Sequence, residues 1–202
     1  MKNNQEAKGF TLIELLVVIA ILAVLAVAVV LVLNPAELIK QGRDSTRMSD
    51  LAALNSALAL WVADVRDTAT YGWGSSAWCR VTASTTAPTS SLATCTISTS
   101  TAVDGTGWLG TINFNAISSG APLSKLPIDP INSAAAACKN SSGAIALPCQ
   151  YAFVASSTVG VYEIDAAMES TKYTQGSSNV ISTDNGNNNN WYEVGSNLYL
   201  FN

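Results

Sequence analysis

Apolar residues are spread very unevenly along this chain. From Leu15 to Leu33, nineteen consecutive residues carry no charge, and every one is Leu, Ile, Val or Ala. At about 1.5 Å rise per residue, a helix of that length matches a hydrocarbon core of roughly 30 Å, so the run predicts a membrane-spanning helix. No other segment could cross a bilayer. Asn34 and Pro35 follow, and the proline lacks a backbone donor, which predicts a kink or an unwound stretch reaching to Gly42. From Glu37 the polarity changes. Met48, Leu51, Leu54, Leu58, Trp61, Val62 and Val65 recur at spacings of three and four among Lys40, Arg43, Asp44, Arg47 and Asp50. That pattern predicts an amphipathic helix ending near Asp67, with one apolar face packed on a domain.

Beyond Asp67 the pattern shortens. Residues 75–120 are rich in Ser, Thr, Gly and Pro and read as loops with short turns and helices. Leu126-Pro127-Ile128-Asp129-Pro130 is a rigid extended or turn element, since each proline fixes its own φ and restricts its neighbour. Gln150–Ala155 and Val159–Ala166 are strand-like runs separated by Ser156-Ser157-Thr158, which predicts a hairpin. Alternation places Tyr151, Phe153 and Ala155 on one face. On the second strand it sets Val161, Glu163 and Asp165 against Tyr162, Ile164 and Ala166. A third strand is expected within Trp191–Phe201.

Composition sharpens this picture at three points. The chain of 202 residues has a formal net charge of −4, and after Asp67 the bases Arg80, Lys125, Lys139 and Lys172 are outnumbered by carboxylates. Such a surface has no general attraction for nucleic acid, and none is expected as a partner. The chain has no histidine, and no phosphate-binding glycine loop or paired-carboxylate constellation stands out, so an enzyme is not expected. The four cysteines all lie beyond the apolar run, which points to disulfides in an oxidising compartment. Without histidine or C-x-x-C spacing, zinc is disfavoured. Of the three connectivities, Cys79–Cys95 with Cys138–Cys149 is favoured because each pair closes a short loop.

The start of the apolar run carries the most specific signal. Gly9-Phe10-Thr11-Leu12-Ile13-Glu14, after a short polar leader ending in Lys8, resembles the amino-terminal signature of type IV prepilins and type II secretion pseudopilins. The resemblance implies cleavage by a prepilin peptidase between Gly9 and Phe10, N-methylation of Phe10, and an assembly role for Glu14. The residues agree independently. Cleavage would expose an ammonium at the mouth of the run, and Glu14 is the carboxylate placed to neutralise it, within its own helix or between subunits. Placing a carboxylate there costs on the order of 2.5–3.5 kcal/mol, so it needs a partner. An ordinary anchor has no use for Glu14. A secretory signal cut after Ala26-Val27-Ala28 would leave Val29–Leu33 as an unusually apolar mature terminus.

The resemblance further implies an α+β fold of the pilin type, with a long N-terminal helix on a small antiparallel sheet in a ladle shape. The expected organisation is a leader over residues 1–9, a transmembrane and assembly helix over 10–33, its amphipathic continuation over 34–67, and an extracytoplasmic domain over 68–202. Expected partners are copies of the chain in a helical filament, the peptidase, an assembly-platform membrane protein and minor pilins. The subunit would cross the cytoplasmic membrane once before assembly and reach the cell surface afterwards. Alternatives are a major pseudopilin of a secretion system or a membrane-anchored binding domain that never polymerises. Pro127-Ile128-Asp129-Pro130 is similar to a segment preceding the sheet in major pseudopilins, although Ile131 stands where that family has tryptophan. A calcium-stabilised terminal loop occurs in the same branch. Asp184, Asn185, Asn187 and Glu193 would supply its ligands here, or else the Asn-rich run is a polar turn.

Overall fold

The structure, a computed structural model, describes residues 9–65, 78–84, 95–156, 161–176 and 178–201. The leader, the expected helix end at Asp67, Thr68–Gly74, most of the Ser/Thr run after Ser84 and the tip of the predicted hairpin lie outside the described residues. The chain forms two compact units, Met1–Leu38 and Ile39–Asn202.

In the first unit, helix α1 spans Leu12–Leu33 and none of its side chains is buried. It stops at Asn34, whose φ of 42° lies in the left-handed region that asparagine tolerates at a helix end. Helix α2, Pro35–Asp64, starts at the next residue. The Asn34 carbonyl accepts the Glu37 N–H at 2.9 Å and the Leu38 N–H at 3.3 Å, which satisfies the first donors of α2. Of the two expectations, a kink or an unwound stretch reaching to Gly42, the structure has an interruption at Asn34, with α2 helical through Gly42. A proline in the first helical turn gives up only an N–H that would have no partner in the ladder.

The second unit is α+β. Its strands are β1 Trp78–Val81, β2 Cys95–Ile97, β3 Ser133–Lys139, β4 Ile145–Cys149, β5 Tyr151–Ala155, β6 Tyr162–Ala166 and β7 Tyr192–Gly195, with a short helix α3 at Thr171–Thr174. Five strands form a sheet in the order β2-β1-β5-β6-β7, and β3 and β4 pair separately. The sheet is antiparallel except at one edge, where β1 and β2 run parallel. Cys79 pairs with Cys95 in that register, and the two are joined by a disulfide. Residues 75–120 were expected to hold turns and helices; a short 3-10 helix stands at Phe114–Ala116, and β1 and β2 lie in the same region. Strands of three and four residues are too short to show a period.

One face of the sheet packs on α2. Leu51, Leu54, Leu58 and Trp61 meet Tyr151, Phe153, Tyr162 and Ile164 in the main core. Fully burying side chains of this size contributes about 1.5–3 kcal/mol each. Trp108, Leu109, Ile112, Phe114 and Ile117 complete this core, so part of a stretch that reads as loops supplies interior side chains. Its polar atoms are satisfied as well, since Trp61 Nε1 donates to the Asn113 carbonyl at 3.0 Å and Trp108 Nε1 to the Pro127 carbonyl at 2.9 Å. The opposite face carries Cys79, Val81, Ala152 and Val154 under Leu200 and Phe201. Both faces are covered, which is why β5 reads as an unbroken apolar run. A second disulfide, Cys138–Cys149, ties β3 to β4 beside Trp191.

Candidate assembly segment and charged clusters

The sequence of the first unit dictates its own helix start. Thr11 is the N-cap of α1, in extended conformation, and Glu14 stands three residues on. The Thr11 N–H and hydroxyl both donate to Glu14 Oε2, at 2.9 and 2.8 Å, while the Glu14 N–H donates to Thr11 Oγ1 at 3.3 Å. This reciprocal capping box was readable from Thr-x-x-Glu before an apolar run, although only Glu14 had been singled out. Gly9 and Phe10 precede the cap, outside the helix, and Phe10 is 87% exposed. The Gly9–Phe10 bond thus lies in non-helical chain. Behind it α1 shows Leu, Ile and Val on every side, at roughly half or more of full exposure. A helix apolar all round needs an apolar surrounding. By length and composition it can cross a membrane.

A protein-family model, described as the prokaryotic N-terminal methylation motif, matches residues 5–30. The chain carries the prepilin-type signature of type IV pilins and pseudopilins. No curated protein and no solved structure matches the chain. The match covers the Gly9–Phe10 bond, the capping box and most of α1. The prepilin-type signature thus falls on the part of the chain that has no internal core.

The sheet domain holds two charged clusters that the sequence did not announce. In the first, Asp44 and Arg47 precede Leu51 on the buried face of α2, at the same spacings of three and four. Arg47 Nε and Nη2 donate to Asp129 at 2.6 and 3.0 Å, and its Nη1 reaches Asp44 and Glu169, each at 2.8 Å. Arg43 adds a two-pronged contact to Glu169 at 2.7 and 2.8 Å. Asp44 accepts the Glu169 and Ser170 N–H groups, so the residues after β6 are bolted to α2. Asp129 also accepts the Ile131 and Asn132 N–H groups. That explains why the rigid element between Pro127 and Pro130 carries an aspartate.

Burial pushes Glu169 upward, but its hydrogen bonds to Arg43 and Arg47 outweigh this and hold it below the usual range. A depressed carboxyl contributes stability above its unfolded pKa and loses it as pH falls through the folded one. Unfolding in urea is therefore expected to move to lower midpoints on acidification below about pH 4.5. Glu169→Gln should cost about 1.5–3 kcal/mol at pH 7 and flatten this acid limb. An acid limb of unchanged steepness in Glu169→Gln would remove Glu169 as its source.

The second cluster lies on the other face of the sheet. Glu163 and Asp165 are two apart on β6, and register places Glu193 of β7 directly opposite Asp165. All three are buried, and an oxygen from each lies within 4.8 Å of the others. Burial pushes all three carboxyls above their ordinary range, and like charge adds to the push on Asp165 and Glu193. The residues expected to form a calcium loop are placed as follows. Asp184 Oδ1 accepts the Gly186 N–H and Oδ2 the Glu193 N–H. Asn185 is exposed in the left-handed region at φ 68°, and Asn187 is exposed. Of the four loop residues, the structure brings Glu193 into the carboxylate cluster. The sequence pattern had put Glu163 and Asp165 on one face, but the register that adds Glu193 was not readable.

Proposed function

We propose that this chain is a structural subunit of a type IV pilus-like filament. A prepilin peptidase cuts it between Gly9 and Phe10, Phe10 is methylated, and the mature chain is assembled through its N-terminal helix. The observation that supports this most directly is α1 itself, with no buried residue in the chain and a prepilin-type signature over its start. Its apolar surface suits two successive surroundings, first lipid and then helices of neighbouring subunits. Transfer from one to the other never exposes that surface to water, so extraction is tolerable.

Before assembly the chain crosses the cytoplasmic membrane once, with Lys2 and Lys8 retained inside and the sheet domain outside. The two disulfides suit an oxidising compartment. An assembly-platform membrane protein and minor pilins are the partners this route requires. The role is structural, not enzymatic. Mass spectrometry of a sheared surface fraction tests the reading. Expected is a subunit beginning at Phe10 and heavier by one methyl group, in filaments visible by electron microscopy. Complete retention in membranes, with no subunit in the sheared fraction, would establish the anchored, non-polymerising alternative instead.

A further inference from the structure

We infer that Glu163, Asp165 and Glu193 form a calcium site inside the sheet domain, built on strands β6 and β7. Strand alternation and register bring the three carboxylates together without help from any loop. One oxygen of each glutamate is already occupied by backbone. Glu163 Oε2 accepts the Leu200 and Phe201 N–H groups at 2.7 and 3.1 Å, and Glu193 Oε2 accepts the Asn188 N–H at 3.1 Å. The remaining oxygens, Glu163 Oε1, both of Asp165 and Glu193 Oε1, are buried without a hydrogen-bond partner. With side chains at 0, 0 and 2% exposure, those atoms are held away from bulk solvent. Leaving such groups unpaired is costly, whereas one cation between them would satisfy all four oxygens.

The geometry suits the size of a calcium ion. Calcium takes oxygen ligands at about 2.3–2.6 Å, so donors on opposite sides of one ion stand about 4.6–5.2 Å apart. The three oxygens lie within 4.8 Å of one another, close enough for one such ion to reach all of them. The donor set is purely carboxylate, which excludes the softer metals that prefer imidazole or thiolate. Magnesium demands near-ideal octahedral geometry and keeps several waters, and side chains buried on paired strands leave little room for them. Glu193 also lines an open pocket of about 390 Å³ with Val180, Thr183, Asp184, Tyr192 and Leu198, beside edge strand β7. That pocket is the route by which an ion would enter.

A cation there would tie three pieces of chain together. Glu193 connects it to the turn at Asn188, Glu163 to the backbone of Leu200 and Phe201, and Asp165 to the middle of β6. Gly186 belongs to the same arrangement, since a Cβ at that position would collide with the Glu193 carboxylate. The assignment moves calcium from the Asn-rich loop to the strands and stands independently of filament assembly.

The test uses the detergent-solubilised full chain after removal of divalent ions with a chelator. Addition of CaCl2 is expected to titrate as one site and to raise Tm by roughly 5–10 °C at a hundredfold excess over Kd, with a clearly smaller rise for MgCl2. Asp165→Asn keeps the side chain's shape and removes one of three mutually repelling carboxylates. It should fold at least as well as the metal-free parent and lose the calcium response. Asp184→Asn, outside the triad, should keep that response. No calcium-dependent shift in the parent would overturn the site and leave a cluster held together by protons. A response kept in Asp165→Asn but lost in Asp184→Asn would overturn it in favour of the loop.

Discussion

Truncating Arg47 to alanine is expected to cost the sheet domain about 3–5 kcal/mol, because it leaves buried carboxylates without their cation. Three acidic side chains converge on this guanidinium, and all of them are at most 3% exposed. Arg43 could relieve Glu169, but no contact links it to Asp129, whose charge would remain in the interior. Against a total of about 5–15 kcal/mol for a typical domain, such a loss approaches unfolding. Arg47→Lys separates charge from geometry. A lysine keeps the positive charge but has no planar fork to reach both Asp129 oxygens and the Asp44–Glu169 pair together. It should recover less than half of the loss. Denaturant unfolding of the detergent-solubilised chain, followed by the fluorescence of buried Trp61, Trp108 and Trp191, measures both variants. An Arg47→Ala midpoint shifted by less than about 1 kcal/mol in equivalent stability would show that the network is not what fixes α2 to the sheet.

Periodicity carried a large part of this fold, and where it ended so did legibility. The stripe from Leu51 to Trp61 was plain because apolar side chains repeat at helical spacing. The same spacing runs back through Arg47 and Asp44, yet those residues look like solvent-facing charge when polarity alone is read. Only the position of Asp129 and Glu169 in space makes them interior, and both are more than 80 residues away. Strand β5 was legible as a short apolar run and β6 from its alternation. Strands β1 and β2 were not, since what defines them is pairing with each other and with β5. The carboxylate triad sits between these cases. Two members followed from alternation on β6, and the third needed the β6–β7 register. At the N-terminus nothing needed tertiary information, because the cap and the apolar run are local in the chain. The prepilin-type signature is accordingly the part of the function that the sequence states by itself.

Glu14→Leu is expected to leave the chain in the membrane and to abolish its filaments, with at least a tenfold loss from the sheared surface fraction. The two halves of this result have different physical origins. In the membrane the substitution is favourable, since it exchanges a carboxylate at the end of the span, where the cost is below the roughly 2.5–3.5 kcal/mol of a helix centre, for one of the best-inserting residues. It also removes the partner of the Thr11 N–H and hydroxyl, a capping loss of about 1 kcal/mol that fraying of the first turn can absorb. Neither effect prevents retention. Assembly differs, because the proposed cleavage before Phe10 would create an ammonium that has to enter an apolar bundle, and an unpaired buried charge is far costlier than a lost cap. Thr11→Ala tells these roles apart, as it weakens the capping box and leaves the carboxylate in place. Filaments from Thr11→Ala beside none from Glu14→Leu would identify the charge as the assembly determinant. If both variants failed alike, the helix start itself would be the requirement. Normal filaments from Glu14→Leu would remove the role assigned to Glu14.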